Sequence, residues 1–158
     1  ADLAQPSFVE ARRRLAARGG TWDWRTWLAG EDLVLDLGQL AWWSWWLTPH
    51  GVHRRYSTRF FVAPVPADQV GAHDRVETVS SRWITPHEVL DAADMGQVTV
   101  VYPTRENLRA LAAHGSAASV VAAARAGRVD LRPHLPQIVR DGDRILVRHP
   151  YTGELDLP

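Results

Sequence analysis

The sequence predicts a mixed fold of the α/β (α+β) class, and three observations carry that expectation. Two apolar, strand-like runs, Ala41 to Leu47 and Arg59 to Val65, flank the loop Thr48-Pro49-His50-Gly51-Val52-His53, which holds a proline, a glycine and two histidines. The residues before that stretch read as a helical lead-in. Those after it alternate strand-sized with helix-sized pieces, several of them opened by a capping signal and closed by a glycine.

A chain of 158 residues is long enough for one core of its own and short for two. A single domain over 1–158 is therefore expected, with 1–38 as helical lead-in, 39–126 as the main sheet and helices, and 127–158 as a C-terminal hairpin and tail.

In chain order, Ser7 and Glu10 have the spacing of a capping box, with Phe8, Ala11 and Leu15 at helical intervals before Gly19-Gly20. Thr21 to Leu28 reads as the start of a second helix, with Trp24, Trp27 and Leu28 on one face and Gly30 after it; these tryptophans suit packing better than base stacking. Leu33 to Leu37 has no period and leads irregularly into the first strand. The run Ala41-Trp42-Trp43-Ser44-Trp45-Trp46-Leu47 cannot alternate cleanly, which predicts a strand covered on both faces. Phe60, Phe61 and Val62 give its neighbour the same two-sided character.

Val76 to Trp83 alternates as a third strand. Thr85-Pro86-His87-Glu88 is a second capping box, opening a helix that Gly96 ends. Val98 to Tyr102 is a fourth strand-sized run, and Pro103-Thr104 opens a helix carrying Leu108, Leu111 and Ala112 to Gly115. Ser116 caps an alanine-rich helix ended by Gly127. Ile138 to Val147 reads as a hairpin about Asp141-Gly142, and the tail after Pro150 carries turn residues along the surface.

Composition limits the function classes. Eighteen basic residues balance eighteen acidic ones, so no global charge draws the chain to nucleic acid or to an anionic membrane. Every basic residue is arginine, which base composition explains better than phosphate binding does. Without cysteine there are no disulfides, thiolate nucleophiles or cysteine–zinc sites. No apolar run of about 18 residues and no export signal is visible, and a cytoplasmic protein is expected.

Phosphate-loop, dinucleotide, nucleophile-elbow, zinc-helix and calcium-loop motifs are all missing from the sequence. His50 and His53 lie close together but without a carboxylate or cysteine to complete a metal site; the other histidines read as surface or cap residues. Arg54, Arg55 and Arg59 flank the loop between the first two strands, where guanidinium forks suit a phosphate or stand as solvated charges. Glu77 interrupts a strand-like run, which leaves it either an edge residue or a functional acid.

Several segments in series resemble the downstream half of Nudix hydrolases, in the branch of coenzyme A diphosphatases and their actinobacterial relatives. They are Trp46-Leu47-Thr48-Pro49; Arg54 to Ala63; Pro66 with Gln69; Glu77 with Trp83-Ile84-Thr85-Pro86-His87-Glu88-Val89-Leu90; and Pro103-Thr104 with Leu108 and Leu111. The resemblance implies an α/β/α sandwich with a mixed sheet, the N-terminal part of the fold missing or altered, and hydrolysis of a pyrophosphate bond in a nucleoside diphosphate derivative such as coenzyme A. It further implies water attacking phosphorus, with Mg²⁺ or Mn²⁺ stabilising the developing charge. Arg54, Arg55 and Arg59 would hold phosphate, Trp46 and Thr48 would lie on the substrate side, and Glu77 would serve as base or outer metal ligand. The family's G-x5-E-x7-R-E-U-x-E-E-x-G-U box is absent from this sequence, whose six glutamates include no adjacent pair. In the family that box precedes the tryptophan strand, and the chain starts at Ala1 without an initiator methionine. Two alternatives follow: the downstream part of a longer enzyme, or a paralogue reduced to a non-catalytic binding module. The partners expected are a small nucleoside diphosphate derivative, and either a second copy meeting through the tryptophan strand or a chain carrying the missing box.

Overall fold

The structure, a computed structural model, describes residues 5–17, 21–67, 71, 73 and 78–158. Its class is α+β, with short helices and two small sheets. The residues fall into two compact units, Ala1–Leu37 with Pro66–Trp83 and Gly38–Val65 with Ile84–Pro158.

The first unit contains α1 (Pro6–Ala16) and α2 (Trp24–Gly30). Proline fits the first turn of α1 because its missing N–H has no helical partner there. The capping box expected at Ser7 and Glu10 does not form: Ser7 already lies inside the helix, and Glu10 binds Arg13 and Arg14 at 2.7 Å instead. Those two guanidinium groups hold the Glu10 carboxyl down at about 2. Asp23 caps α2, its side chain accepting from the Arg25 N–H at 3.0 Å. Phe8 meets Trp27 edge to face at 5.3 Å, so the packing expected of these tryptophans joins two exposed helices without burying any of the rings fully. The third strand expected over Val76 to Trp83 is not seen among the described residues 78–83; Val79 and Trp83 stand 85% and 78% exposed, with no partner strand among the described residues to satisfy their backbone.

The second unit is built on β1 (Ala41–Leu47), which follows a 3₁₀ turn at Leu37–Gln39. β1 is the middle strand of a sheet in the order β2-β1-β3. β2 (Ser57–Val62) runs antiparallel to it, and β3 (Pro133–His134) parallel. A parallel partner needs a long crossover, and α3 (Pro86–Asp94), α4 (Tyr102–Ala112) and α5 (Ala117–Arg125) lie in the chain between β1 and β3. A second, antiparallel sheet in the order β4-β5-β6 closes the chain: β4 (Gln137–Asp141), β5 (Arg144–Arg148) and β6 (Leu155–Asp156).

The helix signals act where the sequence places them. Thr85 and Glu88 form a reciprocal capping box at α3, and Ser116 and Ser119 form one at α5. Gly127 takes φ +66° just after α5, a left-handed turn that lets the Arg128 N–H reach the Ala123 carbonyl at 2.9 Å. Gly142, at φ +59°, makes the two-residue hairpin turn between β4 and β5.

Two strand expectations change. Val98 to Tyr102 forms no strand: Tyr102 is the first residue of α4, and Val101, 58% exposed, precedes it in extended conformation. The tail does more than follow the surface, since Leu155–Asp156 adds the third strand of the second sheet.

β1 reconciles its four tryptophans by a bulge. Its register passes from Trp42↔Phe61 to Ser44↔Phe60, leaving Trp43 as the extra residue. Alternation is reset there: Ala41, Trp43, Ser44 and Trp46 are buried, while Trp42 and Trp45 are half-exposed. The strand is thus not covered on both faces. Trp43 and Ala41 pack with Val120 and Ala124 of α5, and Trp46 packs with Tyr102 and Val147; Phe60 touches both clusters. Trp43→Ala is expected to cost about 3–5 kcal/mol in chemical denaturation, and Trp83→Ala to stay within about 0.5 kcal/mol. Equal losses would contradict these burial assignments.

Candidate functional site

The residues singled out for chemistry divide between two places. Arg59 pairs with Trp45 across the strands, so its side chain lies on the same outer face as Trp42 and Trp45. Its guanidinium carbon stands 4.6 Å from the Trp45 ring centroid and 5.7 Å from that of Trp42. Phe61, half-exposed, is on the same face, opposite Trp42. The result is an open platform of aromatic rings and a guanidinium with no ion pair among the described residues. Arg54 and Arg55 are exposed in the loop that leads into β2.

Thr48 clamps that loop. Its N–H donates to the Tyr56 carbonyl at 3.0 Å, its hydroxyl accepts from the Tyr56 N–H at 2.9 Å, and its carbonyl accepts from Arg55 Nε at 3.1 Å. Thr48 and Arg55 are therefore brought together, and Arg59 is placed with Trp45. Trp46 points the other way, into the core. Glu77 and Gln69 lie outside the described residues.

On the inner side of β1 is a cleft of about 240 Å³, between the tryptophan strand, α4, the segment after α5, and the start of the final turn. Its floor is polar where the bulge turns Ser44 inward. Ser44 Oγ meets Asn107 Oδ1 at 2.6 Å, and Asn107 Nδ2 donates to the Pro103 carbonyl at 2.7 Å, so these buried polar groups satisfy one another.

Two histidines form one wall. His134 is the β3 partner of Trp46, and that register stacks the two rings at 4.6 Å and 24°. His134 Nδ1 lies 3.3 Å from the Trp45 carbonyl, an acceptor only, so Nδ1 carries the proton. Its Nε2 lies 3.8 Å from Asp130 Oδ2. Hydrogen bonds from the Arg132 guanidinium hold the Asp130 carboxyl down at about 2.

His149 has the opposite arrangement. Its Nδ1 accepts from the backbone N–H groups of Tyr151 and Thr152, at 3.3 and 3.2 Å, which leaves the proton of the neutral ring on Nε2. Burial pushes its pKa down from the ordinary imidazole value. The Tyr151 ring completes the wall. It lies 5.1 Å from His134, its hydroxyl donates to the Pro133 carbonyl at 2.9 Å, and the Arg132 guanidinium sits 3.9 Å above it.

From the sequence these histidines read as surface or cap residues, whereas His114, His134 and His149 all line the cleft. The only local sign was the Pro150 to Gly153 turn chemistry beside His149.

Among the described residues no three His, Asp or Glu side chains converge to hold a metal. The two carboxylates of the cleft are each bound to an arginine, Glu106 to Arg109 and Asp130 to Arg132. Nor is any helix among the described residues long and apolar enough to cross a membrane.

The lowered pKa of His149 links stability to pH. The unfolded chain takes up the proton first, so the stabilisation is present above the ordinary value of about 6.5 and is lost as pH falls through the lower folded value. The urea midpoint should therefore drop between pH 7.5 and 5.5. In His149→Asn, whose amide oxygen replaces the Nδ1 acceptor without titrating, that drop should shrink; an unchanged drop would remove His149 as its cause.

Comparison of the chain with protein-family models, with curated proteins and with solved structures finds no match in any of the three.

Proposed function

We propose that this chain binds a nucleoside diphosphate derivative, such as coenzyme A, as the substrate-side portion of a Nudix-type pyrophosphohydrolase. The observation that carries the reading is the outer face of β1 and β2, where Arg59 lies over Trp42 and Trp45 beside the Arg54-Arg55 loop. A ligand of this class joins a flat base to two phosphates. Indole faces attract the first and guanidinium forks the second. Arg59 is already held by its two rings, so it loses less conformational freedom on meeting a phosphate than an unsupported side chain does. The ordered series of family-like segments supports the same reading, which brings with it the α/β/α sandwich. Hydrolysis is assigned to the whole enzyme. The carboxylate box that would seat the metal is not in this sequence, and the donors described above do not replace it.

The second reading, a binding module without catalysis, is favoured by the same lack of convergent metal donors among the described residues. Both readings predict that coenzyme A or ADP-ribose quenches tryptophan fluorescence without added metal, and that Arg59→Ala weakens binding about tenfold. Both also predict little Mg²⁺-dependent hydrolysis by this chain alone. Unchanged binding in Arg59→Ala would remove the platform as the site. Turnover at an ordinary enzymic rate would show that the metal has a seat in this chain. Adding a polypeptide that carries the G-x5-E-x7-R-E-U-x-E-E-x-G-U box separates the two: restored hydrolysis supports the enzyme, and binding without hydrolysis supports the module.

A further inference from the structure

The inner cleft offers a second chemistry, independent of the outer platform. Its two histidines are fixed in opposite tautomers by the backbone. The Trp45 carbonyl keeps the proton of His134 on Nδ1, leaving Nε2 as a lone-pair acceptor. The Tyr151 and Thr152 amides occupy Nδ1 of His149, leaving Nε2–H as a donor. Neither Nε2 has a hydrogen-bond partner among the described residues, the nearest group to that of His134 being Asp130 Oδ2 at 3.8 Å; the ring centroids are 5.6 Å apart, and both rings line the cleft. A third group adds to the demand. Trp46 is 5% exposed and lines the same cleft, and its indole N–H has no acceptor among the described residues. Between the two rings the cleft therefore presents one imidazole acceptor and one imidazole donor, beside the apolar faces of Trp43 and Trp46.

We propose that this cleft binds a planar, neutral ligand whose edge carries an N–H and a C=O side by side, as in a primary carboxamide or a lactam. The ligand N–H donates to His134 Nε2, and its carbonyl accepts from His149 Nε2–H. The ring that bears the amide packs against indole. At about 240 Å³ the cleft suits a single small ring system. Glu106 and Asp130 line it as well, and they disfavour a carboxylate or phosphate that Arg128 would otherwise attract.

Calorimetric titration of the full chain at pH 8 with benzamide, N,N-dimethylbenzamide and benzoate tests this. Benzamide should bind at least about tenfold more tightly than the dimethyl amide, which lacks the N–H, and more tightly than benzoate. Two-bond proton–nitrogen spectra should show Nδ1–H on His134 and Nε2–H on His149. Benzamide should move the Nε2 signals of both rings and leave the exposed His50 and His53 unmoved. In His149→Asn, which keeps the turn acceptor but withdraws the Nε2–H, benzamide affinity should fall about tenfold. Equal binding of the two amides, tighter binding of benzoate, or identical tautomers on the two rings would each overturn the proposal; the ligand series needs no variant, so a misfolded mutant cannot obscure the result.

Discussion

Because side chains on a strand alternate between faces, the extra residue at Trp43 decides what every later position of β1 does. Before it, Ala41 faces the core and Trp42 faces out; after it, Ser44 and Trp46 face the core and Trp45 faces out. Without the bulge, strict alternation from Ala41 and Trp43 would put Trp45 inside and both Ser44 and Trp46 outside. The core would lose the ring that stacks on His134, and Asn107 would lose its buried partner. A single inserted residue thus sorts four indoles into two pairs with different surroundings.

Each pair has its own chemistry. The outer pair, Trp42 and Trp45, remains accessible and supports a cation, an arrangement suited to a ligand both flat and anionic. The inner pair is built into the core: Trp43 against α5, and Trp46 between Tyr102, Val147 and His134. Packing at Trp46 is not free of cost, since its buried N–H lacks a partner among the described residues, a deficit of about 1–3 kcal/mol unless a ligand or solvent supplies an acceptor. Stacking and burial of so large a ring offset it. The residues around that ring come from β1, α4, β3, β5 and the final turn, so the cleft exists only once the crossover helices have brought β3 alongside β1.

What could be read in advance follows from the range of the interactions involved. The capping boxes at Thr85 and Ser116 and the Asp141-Gly142 turn are contacts between residues at most three apart, and each forms as its sequence suggests. Ser7 and Glu10 show the limit of such signals, because Pro6 starts the helix two residues early and two arginines compete for the glutamate. Val98 to Tyr102 has the apolar character of a strand, but a strand also needs a neighbour to hydrogen-bond, and none is offered among the described residues. β3, only two residues long, has no periodicity to detect; it exists because Trp45 and Trp46 accept it from 88 positions away in the register Trp45↔Pro133 and Trp46↔His134. The cleft histidines at 114, 134 and 149 were hidden for the same reason. The tautomer of His134 is set by Trp45, far away in the chain, and that of His149 by the turn at Tyr151-Thr152, whose turn residues the sequence shows but whose place beside the cleft it does not. The guanidinium platform is half visible: Arg59 stands out in the sequence, but without the bulge the choice of indoles beneath it is not fixed.

The partition of the tryptophans is the point on which both binding readings rest, and nuclear Overhauser contacts to carbon-labelled indoles measure it most directly. The Trp46 ring should show contacts to His134 and Tyr102, Trp43 to Val120 and Ala124, and Trp42 and Trp45 to the Arg59 side chain. Contacts from Trp45 to the core, together with contacts from Trp46 to Arg59, would mean that β1 alternates without a bulge, and would contradict the account.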